Sequence, residues 1–272
     1  IKTRVAMATG DWDAALRSAE RIIESEEYTI GGESELMGGM NTLSASNVMW
    51  GAGIETTEQS GGYAGFFTHM DNIDGAYAQS APKLINSSLY KHMGANDVRR
   101  RWWDPENEDS PYISNKFRFS NVAAWLGDYI YMRVEEVYFN AAEAALRLGD
   151  EDKAVLYLNA VMQKRDSSYD ASNYTGTFLG ATTNSWTGSL LENILVQKRI
   201  ELWGEFGRLI DVRRLGQGLD RRVADGFSEE CLSTMSGNGV NLSVPDTYDW
   251  VMTIPQDEIN NNPNINEEDQ NP

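Results

Sequence analysis

Residues 141–155 read AAEAALRLGDEDKAV. A glycine has no Cβ to clash at positive φ, so Gly149 can end one helix in the left-handed conformation, and Asp150 can then accept an N–H that the next helix leaves unpaired. Before this turn, Ile130, Val134, Val137, Tyr138, Ala141, Ala142 and Ala145 make a small-residue stripe at helical spacing, which admits a close neighbour. After it, Ala154, Val155, Leu158, Val161 and Met162 form the facing stripe. The spacing predicts a helical hairpin.

The same punctuation stands at Gly10-Asp11-Trp12-Asp13-Ala14-Ala15, preceded by Ile1, Val5 and Ala8 and followed by Ala15, Leu16, Ala19, Ile22 and Ile23 on one face. Hairpins of this kind stack as tetratricopeptide-like units, although two that lie so far apart in sequence are not a regular array. The expected fold is mainly α, with tetratricopeptide-like helical hairpins forming an α-α superhelix and a loop-rich region containing short strands.

Residues 31–80 have a different texture, rich in Gly, Ser, Thr and Asn, with a strand-like run from Asn47 to Ile54 and with Tyr63, Phe66, Phe67 and Tyr77 in expected loops. Loops of that length in a compact domain are functional or disordered, and the aromatics oppose disorder. A second tract runs from Asp97 through Arg99, Arg100, Arg101, Trp102 and Trp103 to the acidic Asp104–Asp109, and a third from Ser167 to Gly188 contains Trp186. The expected organisation is therefore 1–30 for the end of a helical region, 31–128 for the loop-rich region, and 129–272 for a hairpin, a charged helix and a tail.

The 272 residues are 41% hydrophobic and 24% charged, in the range of globular proteins with a sizeable core. Lys and Arg number 23 against 41 Asp and Glu, a net charge of -18. Phosphate neutralisation needs basic residues, so this balance opposes nucleic-acid binding and favours a neutral ligand or a protein partner. The single Cys231 excludes an intrachain disulfide framework and reads as a core or loop thiol. No run approaches the roughly 20 apolar residues that span a bilayer. The chain opens within a helix-spaced run without a signal peptide, as a processed form or fragment would.

Residues 198–214, KRIELWGEFGRLIDVRR, crowd Arg199, Glu201, Glu205, Arg208, Asp211, Arg213 and Arg214 beside an apolar face of Leu191, Ile194, Leu195, Leu202 and Phe206. Opposite charges so near a core imply a compensated ion-pair network that locks one helix end to a neighbouring element, because a buried charge stripped of its partner costs about 3–5 kcal/mol.

Residues 132–144, MRVEEVYFNAAEA, followed by the Gly149-Asp150 turn, resemble the helix-turn-helix of the SusD/RagB family. Lys198-Arg199-Ile200-Glu201-Leu202, then Gly207-Arg208 and Asp211-Val212-Arg213-Arg214, are similar to that family's R-x-E-L-x-x-E-G-x-R-x-x-D-L-x-R pattern, with Phe206 where a Gly is more usual. Ile254-Pro255-Gln256-Asp257-Glu258-Ile259, Asn262-Pro263-Asn264-Ile265 and Gln270-Asn271-Pro272 resemble its C-terminus. The resemblance implies a cell-surface, outer-membrane lipoprotein for nutrient uptake and polysaccharide utilisation, non-enzymatic, which captures oligosaccharide and passes it to a SusC-like TonB-dependent porin. The family's signal peptide, lipid-bearing Cys and first helical repeats have no counterpart here, so membrane attachment would run through an anchor absent from this chain.

The matched motifs are scaffold and carry over no binding residues. A sugar ring shows C–H groups on one face and hydroxyls at its rim, which calls for exposed flat aromatics with polar neighbours. Tyr63, Phe66, Phe67 and Tyr77, interleaved with His69, Asp71, Asn72 and Asp74, meet this description. Tyr77 ranks first, because Gly75-Ala76-Tyr77 before Pro82 and Asp97-Val98-Arg99 resembles a family region that often carries a ligand-facing aromatic. The candidate glycan contacts are Tyr77, Tyr63, Phe66, Phe67, Asn72, Asp74, Trp102 and Trp103, each also readable as a loop anchor. Of the adjacent Trp102 and Trp103, strand alternation would bury one and expose the other. Trp125 and Trp186 could equally close a core, and Trp12, Trp50 and Trp203 are expected inside it.

Glu201 and Glu205 stand one helical turn apart, as a glycosidase pair could, but neighbouring arginines would hold both ionised and oppose a raised-pKa acid. A protein-interaction scaffold is the remaining alternative. His69 and His92 lack a second ligand at helical spacing, so no zinc site or other cofactor is expected. Asp104–Asp109 could hold Ca²⁺ but lacks the glycine and terminal glutamate of an EF-hand loop.

Overall fold

A computed structural model describes residues 1–55, 65–227, 250–251 and 253–270; Tyr63 and Cys231 lie outside them. Its helices are α1 (Lys2–Thr9), α2 (Trp12–Ile23), α3 (Glu33–Leu36), α4 (Phe66–Met70), α5 (Ala76–Ser80), α6 (Ser87–Tyr90), α7 (Val134–Arg147), α8 (Glu151–Met162), α9 (Leu190–Glu201) and α10 (Arg208–Arg214). The strands are β1 (Val48–Ala52), β2 (Trp103–Asp104), β3 (Ile113–Ser114) and β4 (Tyr129–Arg133), and a further short helix spans Gln256–Asn261.

Both helical hairpins form by the expected device. Gly10 closes α1 at φ 72° and the Asp11 carboxylate accepts from the Ala14 N–H to start α2. Gly149 follows α7 at φ 88°, and Asp150 accepts from the Lys153 N–H to start α8. Helices α2, α8 and α9 all pack on α7, whose Ala141, Ala142, Ala144 and Ala145 are fully buried. These small side chains let three neighbours approach one helix, and the result is mainly helical, with tetratricopeptide-like hairpins.

The stripe that continues α7 back to Ile130 is corrected: residues 129–133 are strand β4, antiparallel to β1 with Val48 opposite Arg133 and Ala52 opposite Tyr129. The run YIYMR is rich in the β-branched and aromatic residues that fit a pleated ribbon, and helix begins only at Val134. A second ribbon pairs β2 with β3, Trp103 opposite Ser114.

The loop-rich region shares an apolar core with α9. Leu36, Phe67, Ile85, Leu89, Tyr90, Trp102, Trp103 and Phe117 are buried together with Ile200 of α9. Residues 1–179 and 186–208 form one compact unit, which holds this core and the hairpins. Residues 180–185 and those from Leu209 onward form another. Within the second, Gln217 Nε2 donates to the carbonyls of Gly180 and Thr182, and Asp211 pairs with Arg214 at 2.7 Å.

The stretch 198–214 is not one continuous helix. α9 ends at Glu201, and Gly204 (φ 75°) and Gly207 (φ 112°) turn the chain before α10. A Cβ on Gly204 would come within 2.5 Å of the Phe117 ring, so its positive φ and its close contact both demand glycine. The turn moves Phe206 off the buried face where periodicity put it: it is 51% exposed, with the Arg4 guanidinium 4.3 Å over its ring.

Candidate functional site

Two constellations stand out, one buried and one exposed. The buried one centres on Glu201 at the end of α9. Arg165 donates through Nη2 to Oε1 (2.9 Å) and through Nε to Oε2 (3.0 Å), while Arg133 Nη1 reaches Oε1 at 3.1 Å and Arg99 Nη1 reaches Oε2 at 3.4 Å. Glu205 accepts from Arg133 Nε (2.9 Å) and Nη2 (2.8 Å) and from Lys116 Nζ (2.6 Å). Glu135 joins Arg165 at 3.0 Å and accepts from the Gly31 N–H.

The partners of Glu201 and Glu205 thus include Arg99, Lys116, Arg133 and Arg165, all distant from them in sequence. A compensated network near this helix end follows from the charge pattern, but long-range partners leave no local spacing.

Burial alone would raise the Glu201 carboxyl; Arg165, Arg133 and Arg99 outweigh it and hold it well below the ordinary value. Burial likewise raises Glu205, and Arg133 and Lys116 bring it down. Desolvation pushes the Lys116 ammonium down to about 8 against the pull of Glu205. Carboxylates held ionised have no proton to donate to a glycosidic oxygen, and Glu201 is fully buried.

The exposed constellation is built on Asp71, the residue after α4. Its Oδ1 accepts from the N–H groups of Ile73 (3.0 Å) and Asp74 (3.1 Å), its Oδ2 accepts from Phe119 N–H (2.9 Å), and Arg118 Nε lies 3.1 Å from Oδ1. One buried carboxylate thus folds the α4–α5 turn and ties it to the 115–119 segment. Gly75 packs inside this turn, where a Cβ would come within 2.5–2.8 Å of the carbonyls of Asp71, Thr68 and Phe67. The turn brings Tyr77 of α5 flat onto His69 of α4, with ring centroids 4.6 Å apart and planes 7° from parallel. Tyr77 is 38% exposed.

The other candidates fall into different places. Asn72 is buried, donating to the Lys83 and Ser114 carbonyls and accepting from the Lys83 N–H. Asp74 pairs with Arg118 Nη2 at 2.8 Å beside the Tyr77 turn. Phe66 is half-buried, edge-on to Phe67 and Phe117. Phe67, Trp102 and Trp103 are core residues, 2%, 1% and 3% exposed, and so offer no face to a ligand. The alternation expected of the two tryptophans fails because Trp102 ends a 3₁₀ turn and only Trp103 belongs to a strand. Trp102 Nε1 donates to the Leu36 carbonyl at 2.9 Å.

Exposed rings also occur outside the leading candidates. Trp50, expected in the core, is 47% exposed, edge-on to Tyr131 at 5.1 Å on the β1–β4 ribbon. Trp125 stands at a turn tip, and Trp186 lies against His92 at 4.3 Å. Strand alternation could have signalled Trp50, but the irregular register between Val48 and Gly51 defeats it. Among the described residues, no group of three or more His, Cys, Asp or Glu is placed to hold a metal ion. In the acidic loop, Asp104 accepts from Glu106 N–H and Asn107 from Ser110 N–H, which closes a turn. No described helix is long and apolar enough to cross a membrane.

Stacked helical hairpins carrying long, cored loops with surface aromatics define a helical-repeat scaffold. The SusD family model matches residues 112–272, and the chain belongs to that family. A SusD superfamily protein from Bacteroides thetaiotaomicron VPI-5482 shares the fold at TM-score 0.72 and 24% identity, over 99% of this chain and 58% of its own. A SusD-like carbohydrate binding protein from Bacteroides vulgatus ATCC 8482 aligns at TM-score 0.63 and 24% identity, over 81% and 45%. Surface glycan-binding protein A from Bacteroides thetaiotaomicron aligns at TM-score 0.61 and 17% identity, over 95% and 59%. The chain thus spans about half the length of these structures. A comparison with curated proteins gave no significant match.

Proposed function

We propose that the chain is the glycan-capturing part of a cell-surface protein that binds oligosaccharide on exposed aromatic rings and delivers it to a TonB-dependent outer-membrane transporter, without cleaving it. The observation that carries this reading is the Tyr77 ring, backed by His69 on a turn that Asp71 and Gly75 make rigid. A ring stacked from behind keeps its orientation, and Asp74 and Arg118 stand at the same turn with groups able to hydrogen-bond a hydroxyl rim. Family membership and the glycan-binding descriptions of similar structures support the ligand class, and the net charge of -18 favours neutral over anionic glycans.

Affinity electrophoresis through gels containing amylopectin, xyloglucan, galactomannan, arabinan or levan, with polygalacturonate as the anionic control, tests the reading. Retardation by a neutral glycan with no new reducing ends is expected. Release of reducing ends that disappears in Glu201→Gln would replace it with a hydrolase, and migration unchanged in every gel with an intact fold would favour a scaffold. Delivery is tested by co-purification with the transporter from outer membranes.

A further inference from the structure

The Arg118 guanidinium is partly exposed at the α4–α5 turn and has carboxylates on two sides. Its Nε lies 3.1 Å from Asp71 Oδ1, as an ion pair without hydrogen-bond alignment, and its Nη2 donates to Asp74 Oδ2 at 2.8 Å. The two carboxylates differ in what they hold. Asp71 is fully buried and accepts three backbone N–H groups that shape the turn, from Ile73, Asp74 and Phe119. The Asp74 side chain is partly exposed, and among the described residues it bonds Arg118 alone. Folding of the turn therefore does not require the Asp74 charge.

Arg118 is held in place with or without Asp74. Its N–H donates to the Gly39 carbonyl at 3.0 Å, and its own carbonyl accepts from Asn41 Nδ2 at 3.0 Å. Gly39 lies against the root of the side chain, where a Cβ would come within 2.8 Å of the Arg118 Cβ. Asp74 and Tyr77 are three residues apart, so at most about 11 Å of chain separates them. The ion pair and the ring thus sit on one turn, which Asp71 and Gly75 make rigid.

We propose that Asp74 is a specificity-determining residue of the Tyr77 site: it occupies the guanidinium that would otherwise take a sugar carboxylate, and so restricts the site to neutral glycans. This rests on the glycan-binding reading above. A guanidinium presents forked N–H donors that match a carboxylate in a bidentate pair. A uronic acid reaching Arg118 has to displace Asp74, which is tethered to the turn. Two carboxylates against one guanidinium also leave the cluster with one net negative charge, which repels an incoming anion. A neutral sugar displaces nothing. Its hydroxyls donate to Asp74, which only accepts, and accept from Arg118, which only donates.

Calorimetry of wild type, Asp74→Ala, Asp74→Ala/Arg118→Gln and Asp13→Ala tests this, with polygalacturonate and with the neutral polysaccharide that retards the wild type, alongside thermal melts. Asp13→Ala is the matched control, because it removes the same charge and frees Arg17 on the exposed face of α2. Asp74→Ala should gain affinity for polygalacturonate by about tenfold or more, the scale of one charge-assisted hydrogen bond, and lose some affinity for the neutral glycan. The gain should be absent in Asp13→Ala and in the double variant. Should the double variant not fold, the gain in Asp74→Ala should instead vanish at about 1 M salt, where the screening length is about 3 Å. Four results would each overturn the assignment of Asp74 and leave neutral-glycan binding in place: polygalacturonate bound by wild type, no gain in a folded Asp74→Ala, an equal gain in Asp13→Ala, or a gain that persists in the double variant. If wild type binds none of the polysaccharides, the glycan reading fails and takes this inference with it.

Discussion

Arg165 and Glu201 meet as a buried bidentate pair, Nη2 to Oε1 at 2.9 Å and Nε to Oε2 at 3.0 Å, with neither side chain exposed. The same guanidinium reaches Glu135 and the Gly31 carbonyl, so one arginine joins the end of α9, the start of α7 and the loop after α2.

Glu201→Gln removes the charge and leaves Arg165, Arg133 and Arg99 facing a neutral amide. The expected cost is about 3–5 kcal/mol, the range for breaking a buried pair from one side. Urea denaturation of the variant measures it. A loss below about 1 kcal/mol would mean that the network is solvated in solution.

Acid stability follows from the same carboxylates. Glu201 and Glu205 have folded-state values depressed below the ordinary 4.5 by their arginines and Lys116, against the raising effect of burial. Their stabilisation is present in full above the unfolded value and is lost as pH falls through 4.5 toward the folded values. Lys116 acts in another window: its folded value of about 8 lies below the ordinary 10.5, so its burial penalises the fold below 8 and the penalty fades as pH rises between the two. Stability measured from pH 3 to 9 should therefore fall steeply on the acid side. A Glu201→Gln/Glu205→Gln variant, if it folds, should show a shallower slope.

The sequence made the helical hairpins legible because their instructions are local. A glycine and an aspartate in succession, Gly10-Asp11 and Gly149-Asp150, fix the turn whatever lies elsewhere. The charged stretch 198–214 announced a network for the same reason, through charge density beside apolar spacing. Its partners Arg99, Arg133 and Arg165 were hidden because they arrive from elsewhere in the fold. The aromatic candidates divide along the same line. Nothing local separates Tyr77, which a short helix presents to solvent, from Trp102 and Trp103, which the loop core absorbs. That core exists only once α9 and the 97–117 tract meet.

Gly75 is where the α4–α5 turn is most sensitive. Gly75→Ala would place a methyl within 2.5–2.8 Å of three carbonyl oxygens, none of which is a flexible side-chain end. The expected result is a destabilisation of about 1–3 kcal/mol, as for overpacking elsewhere, with weaker glycan binding because Tyr77 lies two residues on. Wild-type melting and affinity in this variant would show that the turn yields without moving the ring.

Tyr77 itself separates stacking from scaffolding. It is 38% exposed, so its removal forfeits only part of a side chain's burial and should shift the melting temperature little. If its ring carries a sugar, Tyr77→Ala should weaken binding by about 1–3 kcal/mol, the scale of one lost apolar contact. Tyr77→Phe keeps the stacking face and should retain most of the affinity, any difference reporting the hydroxyl. His69→Ala leaves the ring but removes the imidazole 4.6 Å behind it. Tyr77 then has to be ordered on binding, and an intermediate loss is expected. Calorimetry across the three variants resolves the order Tyr77→Phe, His69→Ala, Tyr77→Ala from weakest to strongest effect. Equal affinities in all three, with wild-type melting curves, would remove the Tyr77 ring from the site.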